Sequence, residues 1–303
     1  MQPLAAGMSY FDLNFQERAR VIACGVLHDA GGVVLVDPGP SSTLPTLRQS
    51  LAAAGIGIAD ITAILLTHIH LDHAGATGTL VRENPRLRVY VHEVGAPHLV
   101  DPSRLVASAS RLYADAMERL WGEVAPVPRE SLEVLQGGER IRAGGRMFDV
   151  AYTPGHASHH VSYFSAETGV AFVGDTAGVR LVPGAFVMPP TPPPDIDLES
   201  WRDSLSIIEG WRADTLLITH FGAVESVAPH LAELRDHLDV VGGLAKASLA
   251  IEGEDAEREA WFVHRVREEV RRRLADSEAA RYEVAGRFDL NWRGLARYWR
   301  KRG

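Results

Sequence analysis

The chain has 303 residues, 46% of them hydrophobic and 23% charged, with a mean hydropathy of −0.05. That balance excludes a disordered chain and leaves ample length for a buried core. A formal charge of −8 argues against nucleic acid as the main partner, and a single cysteine, Cys24, rules out an intramolecular disulfide.

Residues 1–7 carry no basic leader, and no stretch approaches the roughly 18 apolar residues of a membrane span. The expectation is a cytoplasmic protein, off the membrane, acting on a small molecule.

In chain order, residues 19–28 and 31–36 read as strands joined at Asp29-Ala30-Gly31-Gly32, the second stopped by Asp37-Pro38-Gly39-Pro40. Leu44, Leu47 and Leu51 have helical spacing between Thr43 and Ala54. Then the apolar run Ile64-Leu65-Leu66 meets Thr67-His68-Ile69-His70-Leu71-Asp72-His73, three histidines and an aspartate in six positions. On an extended segment His68, His70 and Asp72 share one side, and a turn after Asp72 would return His73 to them. A lone histidine is usually a surface or satisfied core residue. Burying this many without partners would cost about 1–3 kcal/mol per orphaned group, so a metal cluster is the better reading. Imidazole and carboxylate suit zinc and similar divalent ions without thiolate.

A helix over 76–83 and a strand over 87–92 follow. Residues 99–121 read as one long helix whose stripe of Tyr113, Met117, Leu120 and Trp121 is read first as core, with a cap over the site as the alternative. Strands through Ile141 and from Met147 to Ala151 lead to Thr153-Pro154-Gly155-His156, a tight turn that aims His156 at a point. Val161–Phe164 and Val170–Val173 form a strand pair, the second ending at Gly174-Asp175-Thr176. The proline-rich loop 181–197, carrying Phe186 and Met188, is expected as an apolar lip over a site. A helix over 198–211 and a strand over 215–219 end in His220.

Beyond residue 225 the pattern is helical: 229–250, 257–274 and 288–300, with a hinge expected at Glu252-Gly253-Glu254-Asp255. Trp292, Leu295, Tyr298 and Trp299 form an aromatic face read as packing on the core or on a second subunit, so a homodimer is also an expectation. The basic clusters 271–273 and 300–302 read as solvated faces.

Four strand ends thus finish in candidate ligands, and in that order the motifs resemble those of the metallo-β-lactamase-fold hydrolase superfamily, in its glyoxalase II and lactonase-like branch. The resemblance covers residues 19–222. It implies an αββα four-layer α/β sandwich over residues 1–245, with 246–303 as a C-terminal helical extension. It implies one metal on His68, His70 and His156, a second on Asp72, His73 and His220, and Asp175 bridging them. Two divalent cations, zinc first with iron or manganese as alternatives, would bring the pKa of a shared water from about 15.7 toward about 7. Asp72 is the expected catalytic proton carrier.

The function this implies is hydrolysis of a small ester, thioester or lactone. Two alternatives on the same scaffold are a mononuclear iron dioxygenase of the persulfide-oxidising type and a phosphodiesterase or RNA-processing nuclease. A binding module built on the tail would leave the ligand set unexplained. Within the superfamily, common β-lactamases carry a cysteine ligand, whereas Cys24 lies far from every motif. Di-iron flavin-linked oxidoreductases carry glutamate where this chain has His70.

Overall fold

The computed structural model describes residues 1–182 and 186–303, the side chain of Val284 excepted. Pro183, Gly184 and Ala185, part of the expected lip, lie outside the described residues.

The first sheet runs β1 (Gln2–Ala5), β2 (Met8–Asp12), β3 (Ala23–Asp29), β4 (Gly32–Val36), then after α1 (Leu44–Ala53) β5 (Ile61–Leu65). The short α2 (Leu71–Ala74) and α3 (Thr77–Glu83) lead to β6 (Arg88–His92). Next, α4 (Ala96–Val100), α5 (Ser103–Tyr113) and α6 (Met117–Trp121) precede β7 (Leu132–Leu135). Sheet order equals chain order, antiparallel through β4 and parallel from β4 to β7.

The second sheet, in the order β13-β12-β11-β10-β9-β8, comprises β8 (Arg140–Ala143), β9 (Arg146–Tyr152), β10 (Val161–Ser165), β11 (Val170–Phe172), β12 (Thr215–Ile218) and β13 (Gly222–Val224). Helix α7 (Leu198–Gly210) connects β11 to β12 in parallel, and α8 (Val227–Leu249), α9 (Asp255–Arg271), α10 (Asp276–Gly286) and α11 (Phe288–Arg300) close the chain.

Alternation along the buried strands separates two cores. Val34, Val36, Ala63 and Leu65 face the second sheet, with Phe148, Val150, Tyr163 and Phe172 opposite. Val33, Leu35, Ile64 and Leu66 face outward onto Leu47, Leu51, Leu80 and Leu99 of the helices. Helices cover the far face of the second sheet too, through Trp201, Leu205 and Ile208 of α7, which completes four layers, αββα. Each such apolar side chain contributes roughly 1.5–3 kcal/mol when fully buried.

The expected helix over 99–121 is broken. Pro102 separates α4 from α5, and Ala114, with φ of 45°, turns the chain between α5 and α6. A residue in that region cannot continue a right-handed helix. The strands β1, β2, β7 and β13 and helix α10 carry no strong periodic signal and went unpredicted. The boundary expected between residues 245 and 246 falls inside α8.

Helix α11 buries Trp292, Leu295 and Tyr298 in the same core as α8 and α9. Its indoles donate inward, Trp292 Nε1 to Ser248 Oγ at 2.8 Å and Trp299 Nε1 to the Gly242 carbonyl at 2.9 Å. The aromatic face therefore packs on this chain's own core. The basic clusters are spent on surface ion pairs, among them Arg271 with Asp276, Arg273 with Glu233 and Arg302 with Asp197.

Candidate metal centre

The strand ends of both sheets meet at one edge. Strand β5 stops at Leu65, and Thr67 to His70 stay irregular. Helix α2 starts at Leu71, so Asp72 and His73 lie in a helical first turn. The turn thus precedes Asp72 where the sequence reading put it afterwards. The outcome is the same convergence, because successive residues on a helix point only about 100° apart instead of to opposite faces.

His156 is delivered by the turn after β9. Gly155 there has φ of +133°, and a Cβ at that position would stand 2.3 Å from the Cβ of Trp201 on α7. Glycine is required both by the conformation and by this approach. Asp175 follows β11 in a single 3-10 turn, and His220 follows β12.

All seven expected ligands come together, as three groups whose donor atoms lie within 4.8 Å of one another: His68, His70 and His156; His68, His73 and Asp175; Asp72, His73 and His220. His70 Nδ1 stands 2.9 Å from both His68 Nε2 and His156 Nε2. His73 Nε2 is 3.3 Å from Asp175 Oδ1, His156 Nε2 is 3.4 Å from Asp175 Oδ2, and His220 Nε2 is 3.4 Å from Asp72 Oδ2. These are near the roughly 3.3 Å ligand-to-ligand edges of a tetrahedral ion with 2.0–2.1 Å bonds.

Outer contacts fix which ring nitrogen faces the cluster. The His156 Nδ1–H donates to the Pro190 carbonyl at 2.8 Å and the His220 Nδ1–H to the Val21 carbonyl at 2.5 Å. The Thr67 hydroxyl donates to Asp37 at 2.7 Å and accepts from His68 Nδ1–H at 3.1 Å. His73 Nδ1–H donates to Asp37 Oδ2 at 2.9 Å. In each case Nε2 keeps its lone pair for the centre, the arrangement metal-ligating histidines need. His73 Nε2 and Asp175 Oδ1 are buried with no hydrogen-bond partner among the described residues. Orphans of that kind, inside a histidine and carboxylate donor set, fit a divalent cation.

Electrostatics favour neutral rings at His68 and His70, and at His73 and His220 a proton that a bound cation would displace. Burial, then the neighbouring imidazoles, hold His68 and His70 well below the ordinary histidine pKa, so both are neutral ligands. Burial works against ionising Asp72, yet His73 and His220 overcome it and bring its carboxyl down to about 2. Asp175 lies well below the usual range: burial opposes it, and His220, His73 and His156 prevail. For His73 the depression caused by burial is outweighed by Asp175, Asp37 and Asp72, which raise it.

Asp37 was not among the expected site residues. It is buried, has φ of 50°, and accepts from Thr67 N at 2.8 Å and the Thr219 hydroxyl at 2.9 Å besides His73 and Thr67 Oγ1. One carboxylate therefore ties the ends of β4, β5 and β12 together. Its signal was visible: an aspartate directly after the apolar run Val33–Val36, like the ligands elsewhere.

Over the cluster opens a cavity of about 360 Å³. Its floor holds His70, Asp72, His156, Asp175 and His220, and its walls come from α5 (Leu105, Ala109, Leu112, Tyr113), the prolines 190 and 192–194, and the α10–α11 junction. One expectation changes here. Phe186 and Met188 form no lip, since both are buried under α8 to α10, with Phe186 on His237 and Tyr282; the prolines take that place. Tyr113 and Trp121 keep the core packing first expected of them, Trp121 buried and Tyr113 against it, and they line the cavity as well. The C-terminal helices also reach the site: Thr191 N donates to Asn291 Oδ1 at 2.8 Å, which holds the Pro190 carbonyl where His156 meets it.

Fold and donor set together define a metallohydrolase-type scaffold. The profile of the metallo-beta-lactamase superfamily matches residues 18–220, and the chain belongs to that superfamily.

Among curated relatives it is similar to a hydroxyacylglutathione hydrolase of Synechococcus sp. (strain JA-2-3B'a(2-13)), at 31% identity over 49% of this chain and 45% of that one. It is also similar to the metallo-beta-lactamase fold-containing protein ST1585 of Sulfurisphaera tokodaii, at 27% over 60% and 71%. The chain spans about half the length of the hydroxyacylglutathione hydrolases it matches. Among solved structures, the metallo-beta-lactamase family protein TTHA1429 of Thermus thermophilus superposes with a TM-score of 0.75 at 22% identity, over 99% of this chain and 95% of that one. Its fold thus extends through the C-terminal helices. No helix among the described residues is long and apolar enough to cross a membrane.

Proposed function

We propose that this chain is a dinuclear metal-dependent hydrolase of a small ester, thioester or lactone. The observation that carries the reading is the convergence of seven candidate ligand side chains, with His73 Nε2 and Asp175 Oδ1 buried 3.3 Å apart and without a hydrogen bond among the described residues. His68, His70 and His156 would hold one ion, and Asp72, His73 and His220 the other, with Asp175 between. Zinc suits this set, and iron or manganese would also be accepted. When bound, the ions supply a water nucleophile at neutral pH and polarise the attacked carbonyl.

The chain's own groups do the rest. The cavity walls orient the substrate and thin out bulk water over the floor. Asp72, ionised and open to the cavity, takes a proton and returns it to the departing group. Residues 246–303 serve as an extension whose α10–α11 junction completes the pocket. The name of the matched hydroxyacylglutathione hydrolases keeps thioesters among the substrate classes to be tested. An intact second triad of Asp72, His73 and His220 weighs against a mononuclear oxygenase.

Metal analysis per chain with a panel of lactones, thioesters, aryl esters and phosphodiesters tests this. The expected result is close to two ions per chain and ester turnover that chelation abolishes and zinc restores. One iron with oxygen uptake, or no turnover after metal supply, refutes it.

A further inference from the structure

Tyr113 is the last residue of α5, where Ala114 turns the chain, and it lines the cavity together with Asp72, Asp175 and His220. Its ring is held edge-on to Trp121 at 5.0 Å, and Trp121 in turn stacks on Phe15 at 5.7 Å. Five of the other six tyrosines, Tyr10, Tyr90, Tyr152, Tyr163 and Tyr282, donate their hydroxyl to a protein oxygen. The Tyr113 hydroxyl makes no hydrogen bond among the described residues. A phenol held at the wall of a largely apolar cavity is free to donate to whatever occupies it, water in the open cavity and a ligand once one enters. Burial first, and Asp72 second, raise its pKa above the ordinary tyrosine value.

We propose that Tyr113 is a catalytic residue: its O–H donates a hydrogen bond to the departing oxygen of the substrate above Asp72, and so favours alkyl esters and lactones over thioesters. This rests on the hydrolase reading. The attacking water forms the new acyl C–O bond, and the old one breaks with its electron pair left on the departing oxygen. One proton of that water reaches the departing oxygen by way of Asp72, the product acid ionises to solvent, and Tyr113 keeps its own proton. An alkoxide is about as strong a base as hydroxide (pKa of water about 15.7), whereas a thiolate, near 8.5, leaves with little help.

The experiment compares the metal-loaded wild type and Tyr113→Phe on three butyrates: the ethyl ester, the p-nitrophenyl ester and the S-ethyl thioester. With the donor gone, kcat on the ethyl ester is expected to fall about 10- to 100-fold with KM within about twofold, and the other two substrates to lose less than about threefold. Metal per chain and the thermal midpoint stay at wild-type values. Equal losses on all three substrates, or none on the ethyl ester, overturn the role of Tyr113 and leave the hydrolase reading standing. A wild type inert toward all three and toward a lactone overturns both.

Should the Phe variant lose metal or fold, Tyr113→His, which keeps a donor there, is read instead: ethyl ester turnover retained supports the role, and uniform loss overturns it. A readout apart from turnover is the tyrosine difference spectrum on adding N-ethylbutyramide. A perturbation in wild type that vanishes in Tyr113→Phe supports the contact, and identical spectra overturn it.

Discussion

Asp37 shows how much a single residue outside the ligand set can decide. It touches no candidate metal position, yet it orients His73 through Nδ1 and holds Thr67 beside His68. Loss of such an outer carboxylate typically lowers metal affinity 10- to 100-fold. Asp37→Ala also leaves Thr67 N and the Thr219 hydroxyl without their acceptor, about 1–3 kcal/mol for each buried group. The expected outcome is metal content that falls under mild chelation while wild type keeps its ions, together with a lower melting temperature. Unchanged affinity in a competition titration with a coloured chelator would refute the assignment.

At the level of elements, docking of α8 on the loop that carries Asp175 has a pH dependence of known sign. His230 of α8 is buried and donates Nε2–H to the Ala177 carbonyl at 2.7 Å, while its Nδ1 has no hydrogen-bond partner among the described residues. Burial brings its pKa down to about 4; the Ala177 bond works the other way, and Arg180 adds to the depression.

A histidine near 6.5 when unfolded and about 4 when folded contributes stability that is whole above pH 6.5. That stability is lost as pH falls toward 4, because the unfolded chain takes up the proton first. The full contribution is up to about 3 kcal/mol. Urea unfolding of the metal-free protein at pH 7 and pH 4.5 should show wild type losing more stability than His230→Gln. Equal losses would remove His230 from the account.

For the whole molecule, the C-terminal helices belong to the site as much as to the scaffold. Asn291 on α11 holds Thr191, which places the Pro190 carbonyl against His156. Gly294 lets the helix come so near that a Cβ there would stand 2.1 Å from the Thr191 carbonyl oxygen. Deleting residues 281–303 removes Trp292, Leu295 and Tyr298 from the shared core and one wall from the cavity. The truncated chain is expected to bind a hydrophobic dye, to lose its cooperative melt and to release metal. A sharp melt with full metal occupancy would show the extension to be dispensable.

The sequence by itself made the candidate ligands legible, since each stands at or shortly after the end of an apolar strand, where a buried polar side chain has few other uses. Its periodicity gave alternating strands and helices only, and the layered fold was implied by the resemblance of the motifs in their order. What it left open were features fixed by contacts between distant segments. Asp37 gains its meaning only when the ends of β4, β5 and β12 lie side by side. Tyr113 packs against the core beside Trp121 and also lines the cavity, because Ala114 turns the chain between α5 and α6. The prolines, and not Phe186 and Met188, rim the cavity because α8, α9 and α10 bury the two larger side chains. Local periodicity encodes which face of an element is apolar, but which of several apolar or polar partners that face meets is set by packing in three dimensions, and only the tertiary structure decided it.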